Sequence, residues 1–275
     1  MKKVAVLGPR GTFSDSASQA YINTLSEPVE QVYYSSIDEA MYGIGEDCDF
    51  GIVPVENTLD GFVDRTLDIL LERDLHISEE IGIPVQFSLV ANTDTAEEIE
   101  KLYVQFKANG QCRNAIDSLG GVEIISTESN MQSFEIVKRG KRGEAAIIPR
   151  HMLDRAGCTF SIDNATDSEN NVTRFVIVRP GRYEINVRKD SQVRVSFFVV
   201  PNRDEPGMLF NILRAFSENN LNLVAIMSRP TKKDLGTYNF YMEIRADDSD
   251  VDTIIRTVDD VKRTYGLKTL GFYSI

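Results

Sequence analysis

Short apolar runs alternate with helical patterns through the first 180 residues, and beyond residue 190 this alternation gives way to a different order. KKVAVLG precedes a helical pattern over Ser14 to Thr24. QVYYS precedes one opened by Ser36, with Glu39 placed to close a capping box. DFGIVPVE is followed by the helical VDRTLDILLE. Then come IPVQFSLVA, a second capping box at Thr95 and Glu98, LYVQF, a helix near Asn114, VEIIS, another helix and EAAII. Such alternation predicts α/β architecture with largely parallel sheets. The strands are too many for one small sheet, so two α/β lobes with a crevice between them are expected. The first lobe takes about 1–80 plus 160–180 and the second about 81–159. A polar segment over 181–190 reads as a linker. Residues 191–275 then run strand, helix, strand, strand, helix, strand, a ferredoxin-like βαββαβ unit.

Composition limits what such a chain can bind. With 30 basic and 42 acidic residues the formal net charge is −12, which argues against nucleic acid and anionic membranes as partners. Small anionic substrates remain open to it, because they respond to local charge. Cys48, Cys112 and Cys158 fit no metal spacing, and His76 and His151 are isolated, so neither a metal site nor a Ser/His/Asp triad is expected. Reduced thiols and an opening MKKVAVLGPRGTF that turns at Gly-Pro predict a soluble, cytoplasmic protein without a signal peptide.

Three loops fall where ligands bind in open parallel sheets, beyond the carboxyl ends of strands. GPRGTFS lets the backbone approach a ligand at a helix N-terminus, and alone it is equally a plain β–α turn. VPVENTLDG carries Glu56, Asn57 and Thr58 out of an apolar strand. NNVTRFVIV places Thr173 and Arg174 at the mouth of the buried-looking run Phe175 to Val178. A buried guanidinium needs a partner, so Arg174 must face an anion, a carbonyl cluster or water.

Together these segments resemble prephenate dehydratase over nearly the whole chain. GPRGTFS is similar to the family's opening motif, VPVENTLDG to its Val-Pro-Ile-Glu-Asn-Ser-Leu-Glu-Gly stretch, and NNVTRFVIV to its Asn-x-Thr-Arg-Phe signature. The C-terminal unit resembles the ACT regulatory domain, with DEPGMLFNIL and NLVAIMSRP at its Pro-Gly-Ala-Leu and Glu-Ser-Arg-Pro motifs. The resemblance implies that residues 1–180 form a periplasmic-binding-protein-like catalytic domain with its site in the crevice. It implies decarboxylating dehydration of prephenate to phenylpyruvate, in phenylalanine biosynthesis, with no metal or cofactor. Thr173 would be the catalytic hydroxyl, and Thr12, Ser14, Glu56, Asn57, Thr58, Arg174 and Phe175 would bind substrate, Arg174 by pairing with a carboxylate.

In the ACT-like unit the resemblance implies a phenylalanine effector site at the interface of a homodimer or homotetramer. Gly207, Met208, Leu209, Leu221 and Asn222 would contact the effector, with Ser228, Arg229 and Pro230 shaping the interface. Pairing of copies is expected because a lone βαββαβ unit leaves a sheet face and an edge uncovered.

The chain departs from the family pattern chiefly in the second lobe. Gln105 and Lys107 replace the His and Gln of a Ser-His-Pro-Gln-Ala stretch, Phe87 replaces a second His, and Met227 replaces the Glu of Glu-Ser-Arg-Pro. Three readings stay open: a prephenate dehydratase, a dehydratase of a related substrate such as arogenate, and a non-catalytic amino-acid sensor on the same scaffold. No chorismate mutase helix bundle precedes Met1, so the chain is not expected to make its own prephenate.

Overall fold

Val4, Ala5 and Val6 are wholly buried, as only a strand covered on both faces allows. They form β1 (Lys2–Leu7), the inner strand of the first sheet. The computed structural model describes residues 1–185, 187–202 and 205–275. From β1 the chain passes through α1 (Phe13–Ile22), β2 (Val29–Tyr34) and α2 (Ile37–Tyr42) to β3 (Phe50–Asn57). A short β4 (Gly61–Phe62), α3 (Asp64–Glu72) and β5 (Leu75–Pro84) follow. At the head of α2 the Ser36 hydroxyl accepts from Glu39 N–H at 3.1 Å, but the Glu39 carboxylate returns to Ser35 rather than to Ser36.

The second lobe comprises β6 (Phe87–Ala91), β7 (Lys101–Gln105), α4 (Phe106–Gln111), α5 (Arg113–Asp117), β8 (Glu123–Thr127), α6 (Asn130–Val137), β9 (Glu144–Pro149), α7 (Leu153–Ala156) and β10 (Phe160–Ile162). The segment after Thr95 makes only a 3₁₀ turn, and its side chain caps nothing. β11 (Val172–Pro180) then carries the chain back to the first lobe.

The first sheet has the order β2-β1-β3-β11-β5 with β4 beside β3, and the second β10-β6-β9-β7-β8. Neither is largely parallel as expected. β1 pairs in parallel with β2 and β3, but β11 is antiparallel to both β3 and β5. The cause is topological: the chain leaves the lobe on β5 and returns on β11, and an outgoing and a returning strand side by side run opposite ways. β6 and β10 repeat this in the second lobe. Sheet membership puts the two crossings between 84 and 87 and between 162 and 172, later than the expected 80 and 160.

The C-terminal unit consists of β12 (Gln192–Val199), α8 (Met208–Glu218), β13 (Asn222–Pro230), β14 (Tyr238–Asp247), α9 (Val251–Tyr265) and β15 (Leu267–Ser274), with sheet order β13-β14-β12-β15. One face of this sheet buries Val193, Val195, Phe197 and Met242 under Ile212, Phe216, Ile254 and Val258 of α8 and α9. The opposite face is covered by the first lobe of the same chain: Phe198, Tyr241, Leu270 and Tyr273 share a core with Leu67, Leu70, Val176 and Val178. The expectation that pairing of copies must cover this face is therefore corrected. Among the described residues, β13 forms one edge of this sheet and carries the exposed Val224 and Ile226.

Candidate active site

A cavity of about 350 Å³ lies between the lobes. The first lobe lines it with Thr12 and Phe13 at the head of α1, Asn57 at the end of β3, Asp60 and Val63 beyond it, and Thr173 on β11. The second lobe contributes Gln105, Lys107 and Gln111 around α4, and Glu128, Ser129 and Asn130 at the head of α6. The N-terminal ends of α1 and α6 thus open on one space, where their exposed N–H groups and dipoles favour an anion. Thr12 caps α1 by accepting from Asp15 N–H at 3.3 Å, and Ser129 caps α6 by accepting from Gln132 N–H at 3.1 Å.

Thr173 and Asn57 are directly opposite in the β11–β3 ladder. The Asn57 amide donates to Thr173 Oγ1 at 2.9 Å and to Asn171 Oδ1 at 2.8 Å, while its carbonyl oxygen accepts from Leu59 and Asp60 N–H. Asn171, fully buried, donates in turn to Gln111 Oε1 at 3.0 Å. A polar chain therefore runs from α4 of the second lobe to Thr173 of the first. With its oxygen accepting from Asn57, the Thr173 hydroxyl keeps its own proton to donate toward the cavity. Thr58 braces the same loop: it donates to Val172 carbonyl at 3.0 Å and accepts from Val172 N–H at 3.2 Å.

The structure brings Thr12, Asn57 and Thr173 to the cavity and places Thr58 behind them. The other members of the expected set lie elsewhere. Ser14 is buried in the first turn of α1 and is not among the cavity-lining residues. Phe175 is 1% exposed and packs with Val4, Val6 and Ala17 in the core beneath α1. Glu56 and Arg174 are on the opposite face of the sheet, because successive strand residues alternate sides. The Arg174 guanidinium donates to Glu56 at 2.9 Å, Glu80 at 3.1 Å and Glu243 at 2.9 Å. Burial would lower its pKa, but Glu243 above all, with Tyr241, Tyr273 and Glu80, raises it further above the ordinary range. The anion it requires is the protein's own, which corrects the expectation of a substrate carboxylate there.

Among the described residues lining the cavity, Lys107 alone carries a cation, and it reaches across the crevice to Asp60 at 2.7 Å. Phe87 packs edge-on against Phe13, with ring centroids 5.5 Å apart. Burial pushes the Cys112 thiol up to about 12, so it is no nucleophile at neutral pH. Among the described residues no group of three or more His, Cys, Asp or Glu is placed to hold a metal, and no helix is long and apolar enough to cross a membrane. Gln111, Ser129, Asn130 and Asn171 were not expected in the site. Ser129 and Gln132 do form the Ser-x-x-Gln signature of a capped helix start after a parallel strand, which is a readable signal.

In the C-terminal unit, Gly207 precedes α8 with φ of 83°, a left-handed conformation suited to glycine. Met208 and Leu209 pack into the unit's core, as does Leu221, while Asn222 is exposed. Gly207 and Asn222 lie at opposite ends of α8. Ser228 and Pro230 are exposed, but Arg229 turns to the first lobe, pairing with Asp64 at 2.6 Å and Asp68 at 2.9 Å. Met227 likewise packs against the core shared with that lobe. Arg229 is thus a tie between the units rather than a residue facing the exposed edge.

Two α/β lobes joined by two crossings and enclosing a cavity of mixed polar and apolar lining, backed by a ferredoxin-like unit, define a two-lobed protein with its cleft between the lobes and a further C-terminal module. The comparisons with known proteins make the class specific. A family model for prephenate dehydratase matches residues 4–182, and one for the ACT domain matches 197–263. The chain belongs to the prephenate dehydratase family. It is 31% identical over 278 residues to the bifunctional chorismate mutase/prephenate dehydratase of Aquifex aeolicus, covering 98% of this chain and 73% of that protein. It is 29% identical to the prephenate dehydratase of Methanocaldococcus jannaschii over 100% of this chain and 98% of that one. The structure of prephenate dehydratase from Arthrobacter aurescens in complex with L-Phe superposes with a TM-score of 0.83 at 26% identity, covering 99% and 90% of the two chains.

Proposed function

We infer that this chain is a prephenate dehydratase, converting prephenate to phenylpyruvate with feedback control by phenylalanine through its ACT domain. Family membership supports the reaction, and one observation supports the central role we give Thr173: at the crevice its hydroxyl oxygen accepts from Asn57. In the reaction the ring carboxylate leaves as carbon dioxide, its bonding electrons enter the ring as it becomes aromatic, and the ring C–O bond breaks. The departing oxygen gathers negative charge and leaves as hydroxide, which takes its proton from solvent water. Thr173 donates a hydrogen bond to that oxygen, and Asn57 holds the donor in line. A threonine is a weak acid, so this is stabilisation of developing charge in an oriented network rather than full proton transfer. The two carboxylates of prephenate are met by Lys107 and the N-terminal ends of α1 and α6. Thr12 and Thr58 hold the loops that shape the cavity.

Arogenate is the alternative substrate, carrying an ammonium group where prephenate has a carbonyl. Glu128 lines the cavity and its carboxylate has no hydrogen-bond partner among the described residues, so it is the group that would meet an ammonium. Turnover with each substrate separately tests the assignment. Phenylpyruvate from prephenate supports it, and phenylalanine from arogenate with no prephenate turnover contradicts it.

The effector and the oligomer belong to the same reading. Gly207 and Asn222 are separated by the whole of α8, about 16 Å for its 11 residues. They can contact one ligand together only across a two-fold pair of copies, the loop of one meeting the strand start of the other. The β13 edge beside Phe210, Val224 and Ile226, which are 65%, 42% and 49% exposed, suits such a partner. We therefore read the protein as at least a homodimer with L-phenylalanine bound between copies, in the cytoplasm, where its three free cysteines stay reduced.

A further inference from the structure

Behind the Thr173–Asn57 pair, on the far face of the same two strands, Arg174 and Glu56 are also cross-strand neighbours. A β-bulge follows at once, between Arg174 and Phe175, and bulges next to a site re-aim side chains. The Arg174 guanidinium does more than meet Glu56. It reaches both oxygens of Glu243 on β14, at 2.9 and 3.0 Å, and Glu243 is 2% exposed. Glu243 in turn accepts from Tyr241 and Ser196, and from Arg194 at 3.2 Å. Arg194 also approaches Glu80 of β5 at 3.4 Å, and Tyr273 of β15 donates to Glu80 at 3.1 Å. Three strands of the C-terminal sheet thus grip three strands of the first lobe through one buried ionic cluster. No member of this cluster lines the crevice cavity.

We propose that Arg174 and Glu243 are positioning residues: the C-terminal sheet, acting through Glu243, holds Arg174 and the bulged register of β11 against β3, and so sets the Thr173–Asn57 geometry on the opposite face. A shift of β14 then reaches the catalytic hydroxyl through one side chain, without a path through the cavity. The proposal rests on the dehydratase reading for its kinetic consequence and on the cluster's geometry for its structural one.

The test uses the full chain with Arg174→Lys, Glu243→Gln and, as a control elsewhere in the same interface, Lys232→Gln, which removes exposed pairs with Asp68 and Glu72. Well below each variant's melting temperature, both cluster variants should lose kcat by at least about tenfold, because small misplacements of catalytic groups are costly. KM should stay within about twofold, since neither side chain touches substrate. The control should keep the parent's kcat. Hydrogen exchange at the amides of β11 and β3 should quicken in the cluster variants but not in the control. Should Glu243→Gln fail to fold, Glu243→Asp keeps the charge, shortens the reach and is read in the same way. A raised KM with kcat retained in Arg174→Lys marks a substrate contact and overturns the proposal. Unchanged kcat in a folded Glu243 variant overturns it equally. A parent with no prephenate turnover refutes the dehydratase reading instead, and the exchange rates then decide the structural claim alone: quickened local exchange supports it and unchanged exchange overturns it.

Discussion

Asp15 organises the first loop of the crevice from behind. It is 3% exposed and accepts from Gly11 N–H at 2.8 Å, Tyr33 hydroxyl at 2.7 Å, Gln19 at 2.9 Å and Gln31 at 3.2 Å. Burial pushes its carboxyl up, but these donors together outweigh burial and hold it below its ordinary 3.8. A carboxyl lowered on folding contributes stability that is fully present above about pH 4 and lost as pH falls through the folded value. Asp15→Asn should therefore cost about 2–3 kcal/mol at neutral pH, the scale of bonds to a charged group, and flatten the fall in melting temperature below about pH 4. An acid limb as steep as the parent's would remove Asp15 from this role. At Lys107, substrate must compete with Asp60 for the cation. Lys107→Ala should raise KM for prephenate several-fold, and the salt dependence of KM should flatten with it. A KM and salt series matching the parent's would return Lys107 to the surface. The sequence exposes Thr173 and Asn57 through their motifs, yet it groups Arg174 and Phe175 with them. Shared motif suggests shared site, whereas the strand period puts Thr173 and Arg174 on opposite faces, and the period wins.

At the scale of elements, β15 rests on β5 so closely that a Cβ at Gly271 would lie 2.4 Å from the Ile77 carbonyl oxygen. Backbone cannot yield there as a flexible side chain would. Gly271→Ala should destabilise the protein by about 1–3 kcal/mol and loosen the C-terminal sheet from the first lobe. Equilibrium unfolding in urea checks this, and a variant as stable as the parent would mean that the two sheets separate without cost. Most strands were legible as apolar runs, and the βαββαβ order as a change of pattern. Strand direction was not, because Val176 or Leu89 is equally buried in a parallel or an antiparallel neighbourhood. Direction follows from the two chain crossings, which no local pattern records. The docking face was also hidden: no local pattern marks Arg194, Ser196 and Glu243 as interior, and it is their pairing with each other and with the first lobe that makes them so.

At the scale of the molecule, the first lobe and the ACT unit share one core and one ionic cluster, and the β13 edge carries the exposed Val224 and Ile226 with Phe210 beside it, which is where we propose a second copy. Ile226→Lys puts a charge into that edge. It should shift the protein to monomer in sedimentation velocity and abolish inhibition by L-phenylalanine, with turnover retained when the effector is absent. A monomer still inhibited by L-phenylalanine would place the effector within one chain. The central claim concerns Thr173, and the most direct measurement compares kcat for prephenate in the parent and in Thr173→Val, which keeps the shape and removes the hydroxyl. The account predicts a fall of at least about 100-fold, the scale of a positioned donor in the transition state, with KM and melting temperature near the parent's. A Thr173→Val enzyme with kcat close to the parent's would contradict it.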